Sequence, residues 1–344
     1  MDAFITLLHG AGGQESHDLI ESLIVKKVPP LLRYALDGHG LDILDDGSFI
    51  KVGDSYIVFT SDSYTVKPVF YPGGNIGELA ASGVLNDLVM MGAKPVAFLD
   101  NIIVEEGFPV EDLEKIVDSL VKVLKENNVS LIGGDFKVMP KGSLDKIVIS
   151  GFGIGVSQGA PIIDHVRPGD VIVVTNSIAE HGAAILASQL GIGAENLSLK
   201  SDSKPLVKTV LPVIEKYRPH IHAARDPTRG GISAILNEWV RGREVSIIVD
   251  ESKIPIREDV RTFLEMLGID PLTVASEGVA VLSVSREVGD EVVEALKSMG
   301  ENPQVIGEVV IPEEPSYKGK VIGFTEVGGK RIIRGEALNL PRIC

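Results

Sequence analysis

Along almost its whole length the chain alternates short apolar runs with amphipathic helical patterns. That alternation restricts it to α/β or α+β architectures. A helical pattern over 15–27 stops at Pro29 and Pro30. β-rich runs at 49–52 and 56–61 flank Gly53-Asp54, a hairpin signal. A long helix is predicted over 76–91, a strand over 96–104, a helix over 110–126 and an apolar strand over 129–132 that ends in Gly133-Gly134-Asp135. A strand over 146–156 closes the first half. The second half places strands at 171–175, 245–249, 279–284 and 305–310 and helices at 179–190, 204–216, 232–240, 258–267 and 288–299, then a hairpin within 321–333. At 344 residues the chain is too long for one small core. The reading is two domains, 1–158 and 159–333, and a tail, 334–344, where the pattern fades and mobility is expected.

Forty-eight acidic residues against 33 basic ones give a net charge of −15, which disfavours phosphate backbones and anionic membranes. An anionic ligand would need glycine-rich loops, local cations or a metal. No run is long and apolar enough to span a bilayer, and the N-terminus has no basic region before its short apolar stretch. The expected location is the cytoplasm. The single cysteine, Cys344, cannot form an internal disulfide and stands last, outside any prenylation box. It reads either as an incidental tail residue or as a thiol on a swinging arm. Extended, the tail would reach roughly 35 Å.

Several separated carboxylates suit a Mg²⁺–nucleotide site, because hard oxygens bind that ion. Asp45 and Asp46 precede Gly47, and Asp62 follows an apolar strand; each is also an ordinary turn or cap residue. Asp87, beside Asn86, sits in a helix apolar on several faces, where a carboxylate is costly unless paired or metal-bound. Gly133 and Gly134 permit close approach of a phosphate to the backbone, with Asp135 next to them, but also make plain turns. Asp226 lies in Asp226-Pro227-Thr228-Arg229-Gly230-Gly231, a generic turn sequence. Strand alternation puts Lys137 on the same face as Asp135, fit for a phosphate contact or for an ion pair. Glu277, before a glycine and an apolar strand, reads as a base or a strand-edge charge. No Walker A motif is present, and His9, His220 and His222 have no zinc spacing.

Together, HGAGG, DGSFI, TSDSYTVKPVFYPGGNIGELAASGVLNDLVMMGAKP, GGDFKV, DPTRGG, SEG and the closing PRIC resemble the hydrogenase maturation HypE family. That family is a branch of the aminoimidazole-ribonucleotide-synthetase-like (PurM-like) superfamily. The match runs along most of the chain, and PRIC is its specific part. The resemblance implies a two-domain PurM-like α/β (α+β) fold. Its N-terminal domain would bind ATP and dimerise. It implies a nucleotide site of Asp46, Asp62, Asn86, Asp87, Gly133, Gly134, Asp135 and Asp226, with Mg²⁺ held by Asp46, Asp62, Asp87 and Asp226. It also implies a homodimer, a carbamoyltransferase partner (HypF) and a scaffold complex (HypC–HypD) of nickel–iron hydrogenase assembly. The implied reaction is ATP-dependent dehydration of a carbamoyl group on Cys344 to a thiocyanate. Lys137 would stabilise transferring charge and Glu277 would take the amide protons. A selenophosphate-synthetase-like enzyme is the nearest rival, but its reactive residue near the N-terminal glycine loop is absent here. A non-catalytic module that docks through its tail would not need the aspartates.

Overall fold

A computed structural model describes residues 4–10, 12–192, 198–325 and 327–335. The N-terminal half opens with α1 (Gln14–Leu23), β1 (Ser48–Val52), β2 (Ser55–Tyr64) and the short pair β3 (Phe70–Tyr71) and β4 (Gly74–Asn75). It continues with α2 (Ile76–Met90), β5 (Lys94–Glu105), α3 (Val110–Glu126), β6 (Ser130–Met139) and β7 (Ile147–Ser157). Five of these strands form one sheet in the order β1-β2-β7-β5-β6, antiparallel except for the β5–β6 edge pair.

Asn75 starts α2: its side chain accepts from the Gly77 and Glu78 amides and meets two of the helix's orphan donors. The helix is buried almost all the way round. It lies directly on the sheet because Gly151, Gly153 and Gly155 of β7 leave room for Val84 and Leu88. A methyl at Gly77 would lie 2.0 Å from the Ile116 carbonyl oxygen, so that glycine lets α3 approach in turn. The β6 strand differs from the rest, with every residue exposed, including Leu131, Ile132, Phe136 and Val138.

The C-terminal half runs β8 (Val171–Val174), α4 (Glu180–Gln189), α5 (Leu211–Tyr217), β9 (Ile221–Arg225), α6 (Gly231–Val240), β10 (Ser246–Asp250) and α7 (Glu258–Met266). Then come β11 (Val281–Val284), α8 (Gly289–Ser298), β12 (Gln304–Val310), β13 (Val321–Phe324) and β14 (Lys330–Ile333). Its seven-stranded sheet has the order β14-β13-β10-β12-β8-β11-β9. One apolar core joins the halves, with Leu79 and Leu85 of α2 in the same cluster as Ile178 and Ala183.

The structure corrects three expectations. Gly133 and Gly134 do not end a strand but lie inside β6. A side chain at Gly134 would come within 2.2 Å of the Asp100 carbonyl oxygen, so close approach, not turning, requires the glycine. The helix expected over 204–216 forms only from Leu211, with Pro212 in its first turn. Before it the chain is held against α2: the Leu206 amide donates to Asn86 Oδ1 at 2.8 Å. The first helix is shorter than expected and gives way to a 3₁₀ turn at Val25–Lys27. Strand β9 lies in an interval that the sequence pattern left unassigned.

Candidate active site

Three sequence-distant segments bring their carboxylates together where the two sheets meet. Asp46 precedes Gly47, whose added Cβ would stand 2.9 Å from the Phe59 carbonyl oxygen; glycine lets that loop lie flat on β2. Thr60 of β2 donates to Asp87 Oδ2 at 2.6 Å, and its hydroxyl also lies 3.0 Å from the Asp46 carbonyl oxygen. Asp87 comes from the last turn of α2, and Asp226 follows the end of β9. One ligand atom from each of Asp46, Asp87 and Asp226 lies within 4.8 Å of the others.

The electrostatics of this trio stay unfavourable even with the Arg225 guanidinium beside Asp46. The Oδ2 atoms of Asp46 and Asp226 are buried and have no hydrogen-bond partner. Burial, reinforced by the neighbouring carboxylates, pushes Asp46 and Asp87 well above the ordinary aspartate range. Burial first, and then the charge of Asp62, raise Asp226 to about 7. Asp62 is half-buried, two residues beyond Thr60 on the same face of β2. Its charge also contributes to the shift of Asp87.

Glu277 stands behind this group with 1 % of its surface exposed. Neither carboxylate oxygen has a partner. Burial raises its pKa well above the usual value, and Asp226, Asp202, Asp62 and Asp87 add to the rise. Its amide donates to Asp202 Oδ1 at 3.2 Å, which fixes the backbone from which the side chain projects.

Other expected site residues are placed differently. Asn86 has no free polar atom: its Nδ2 donates to the carbonyls of Lys204 (3.0 Å) and Glu277 (3.2 Å), and its Oδ1 accepts from Leu206. It ties α2 to the C-terminal half. Asp135 and Lys137 do share a face of β6, joined by an ion pair of 2.6 Å that lowers the Asp135 pKa. Strand register puts that pair on the sheet face opposite the trio. Asp62, Gly151, Asp100 and Gly134 form one row across the sheet, on the side where Gly151 faces Val84 of α2. Asp135 belongs to the next row, which points the other way. Gly133 shares this outer face, and Gly134 lies beneath Asp100.

The histidines lie apart from the trio. His220 pairs with Glu287 at 3.0 Å and His222 with Asp170 at 2.9 Å, while His9 Nδ1 is 2.9 Å from the Thr6 hydroxyl. Cys344 lies outside the described residues. The chain leading to it is held on α6, where Asn237 Nδ2 donates to the Ile333 carbonyl at 3.1 Å. A Cβ added at Gly335 would stand 2.9 Å from Asn237 Cβ. Sequence reasoning missed Thr60 and Arg225, which orient the carboxylates. Nothing about a threonine inside a strand marks it, and Arg225 is distinguished only by standing next to Asp226.

Comparison with known proteins identifies the family. Residues 44–157 match the N-terminal domain of AIR synthase related proteins, and residues 167–318 match their C-terminal domain. A putative hydrogenase expression/formation protein of Methanocaldococcus jannaschii is 42% identical over 99% of both chains. The carbamoyl dehydratase HypE of Rhizobium leguminosarum bv. viciae is 39% identical, covering 99% of this chain and 95% of the relative. Among solved structures, a hydrogenase maturation protein HypE in complex with ATP superposes with a TM-score of 0.80 at 35% identity, covering 99% of this chain and 100% of that one. A HypE–HypF complex gives 0.81 at 35% identity, covering 94% and 99%. The chain therefore belongs to the AIR synthase related family and, within it, to the carbamoyl dehydratase HypE enzymes.

Proposed function

We propose that the chain uses ATP to dehydrate a carbamoyl group carried on Cys344, making the thiocyanate from which a nickel–iron hydrogenase receives its cyanide ligands. The observation that carries this reading is the trio Asp46, Asp87 and Asp226, with orphaned buried oxygens, in front of an unpartnered Glu277. An all-oxygen, multiply acidic donor set fits Mg²⁺, and the two orphaned oxygens are the atoms such an ion would engage. Asp62 would complete the set from β2. Bound there, Mg²⁺ would neutralise charge on the transferring phosphoryl group.

In this reading the Cys344 thiolate first receives a carbamoyl group from the carbamoyltransferase partner HypF; one relative is known in complex with HypF. The thiocarboxamide oxygen then attacks the γ-phosphorus of ATP, the bond to ADP breaks, and ADP leaves. The amide nitrogen gives up its two protons, the carbon–oxygen bond breaks, and phosphate departs, leaving S–C≡N. Glu277 is the group we assign to the protons. Its raised pKa makes the ionised carboxylate a stronger base than an exposed glutamate. The HypC–HypD scaffold would take up the cyanide, and we place the reaction in the cytoplasm.

The tail's attachment supports this route. Cys344 is the ninth residue after Gly335, a reach of about 30 Å. Its root at Asn237 lies six residues along α6 from Gly231, about 9 Å of helix. We further propose a homodimer formed through the N-terminal sheet, which would cover the exposed apolar residues of β6. Lys137 faces away from the trio and pairs with Asp135, so the charge-stabilising role expected of it does not fit a phosphoryl group held at the trio.

Intact-mass measurement tests the reading. The carbamoylated wild-type chain with ATP and Mg²⁺ is expected to lose one water, and a Cys344→Ala chain should accept no carbamoyl group. Wild-type chain that keeps its carbamoyl mass under these conditions would refute the assignment.

A further inference from the structure

Arg225 makes contacts that family membership does not assign. It is 16 % exposed and its guanidinium meets both halves of the molecule. Nη1 donates to Asp46 Oδ1 at 2.9 Å, and Nη2 to the Leu44 carbonyl at 3.0 Å, both in the N-terminal half. Nε donates to Asp164 Oδ2 at 2.7 Å and lies 3.3 Å from Asp45 Oδ1. Asp164 is itself fixed by Trp239 Nε1 at 2.7 Å and by the Ala224 amide at 3.0 Å. Arg225 is also covalently joined to Asp226.

We infer that Arg225 is a positioning residue for the cation–phosphate site: it occupies one oxygen of Asp46, turns the other toward Asp87 and Asp226, and locks the loop bearing Asp46 to the strand bearing Asp226. The inference rests on the proposed role of the trio. The contact pattern favours positioning over simple charge balance. Arg225 grips only one Asp46 oxygen, and Oδ2 is left buried and unpartnered. A planar, forked guanidinium can hold Asp46, Asp164 and Leu44 in one fixed arrangement, which a lysine ammonium cannot. Asp46 Oδ2 and Asp226 Oδ2, both buried and unpartnered, are left for a ligand.

The two roles predict opposite signs. Arg225 is a positive charge next to a cation site, so removing it should tighten cation binding if electrostatic repulsion were its main effect. If it positions Asp46, removing it should weaken binding. The experiment measures Mn²⁺ binding to the nucleotide-free chain by electron paramagnetic resonance, for wild type, R225Q, R225K, D164N and W239F, with thermal melts on the same samples. Loss of an outer residue that orients a metal ligand costs about 10–100-fold in affinity, and R225Q and R225K are expected in that range. D164N, which loosens Arg225 from behind, should fall between R225K and wild type. W239F, which removes one of the bonds that fix Asp164 and leaves the Ala224 amide, should bind Mn²⁺ between D164N and wild type. Wild-type or tighter binding by R225Q or R225K overturns the inference. Should R225Q and R225K fail to melt cooperatively, D164N decides, and unchanged binding there overturns it. Absence of Mn²⁺ binding by the wild-type chain would instead remove the proposed cation site itself.

Discussion

The carboxylates of the site are held in a state they would not adopt alone. Asp226 ionises near 7, against 3.8 for a free aspartate, first because it is buried and then because Asp62 is close. Asp46 and Asp87 are shifted the same way. A carboxyl whose pKa is higher in the folded than in the unfolded chain favours folding below the unfolded value. That advantage is lost as pH rises through the folded value. The cation-free protein is therefore expected to melt at progressively lower temperature from about pH 4 to about pH 7, and Mg²⁺ should reverse the loss. Asp226→Asn removes one of the repelling charges. It should raise the melting temperature of the cation-free chain at pH 8, leave it nearly unchanged at pH 4, and abolish most of the stabilisation by Mg²⁺. A melt of D226N that still rises with Mg²⁺ as in wild type would show that Asp226 does not face the ion. Asp87 was legible because a carboxylate in a largely apolar helix needs a reason. Asp46 was preferred over Asp45 only by resemblance. Thr60 and Arg225 were invisible, since a side chain that orients another through space leaves no periodic trace.

Among the elements, β6 departs furthest from its expected form. A Gly-Gly pair read as either a phosphate-approach site or a plain turn proved to be strand interior, because sequence alone does not reveal that the Asp100 backbone lies against Gly134. The ion pair between Asp135 and Lys137 follows from simple alternation and was anticipated as one of two readings. Their position on the face away from the trio could not be foreseen, since it depends on which side of the sheet α2 packs. An exposed edge strand with Leu131, Ile132, Phe136 and Val138 on the surface is a template for association, and single chains usually blunt such edges. Phe136→Asp is expected to convert a dimer to a monomer in light scattering while the far-ultraviolet circular dichroism stays that of the wild type. A wild-type chain that is monomeric at micromolar concentration would count against β6 as the interface.

Over the whole molecule, the alternating pattern gave most helices and strands to within a residue or two, and Asp46, Asp87 and Asp226 fell together where two sheets meet, whereas Asp135 did not. The pattern could not supply the join itself. Asn86 fastens α2 to the backbone of Lys204, Leu206 and Glu277, and Arg225 fastens β9 to Leu44 and Asp46. These cross-connections set Glu277 behind the trio, while the bond from Asn237 to the Ile333 carbonyl holds the root of the tail on α6, the helix that follows the Asp226 loop. The chemistry proposed for this arrangement makes a strict demand on one atom: the carbamoyl oxygen must leave as part of the inorganic phosphate. A chain carbamoylated on Cys344 with ¹⁸O in the carbamoyl group and given unlabelled ATP and Mg²⁺ should release phosphate containing one ¹⁸O for each thiocyanate formed. Phosphate free of label, with thiocyanate still produced, would contradict direct attack of the thiocarboxamide oxygen on ATP.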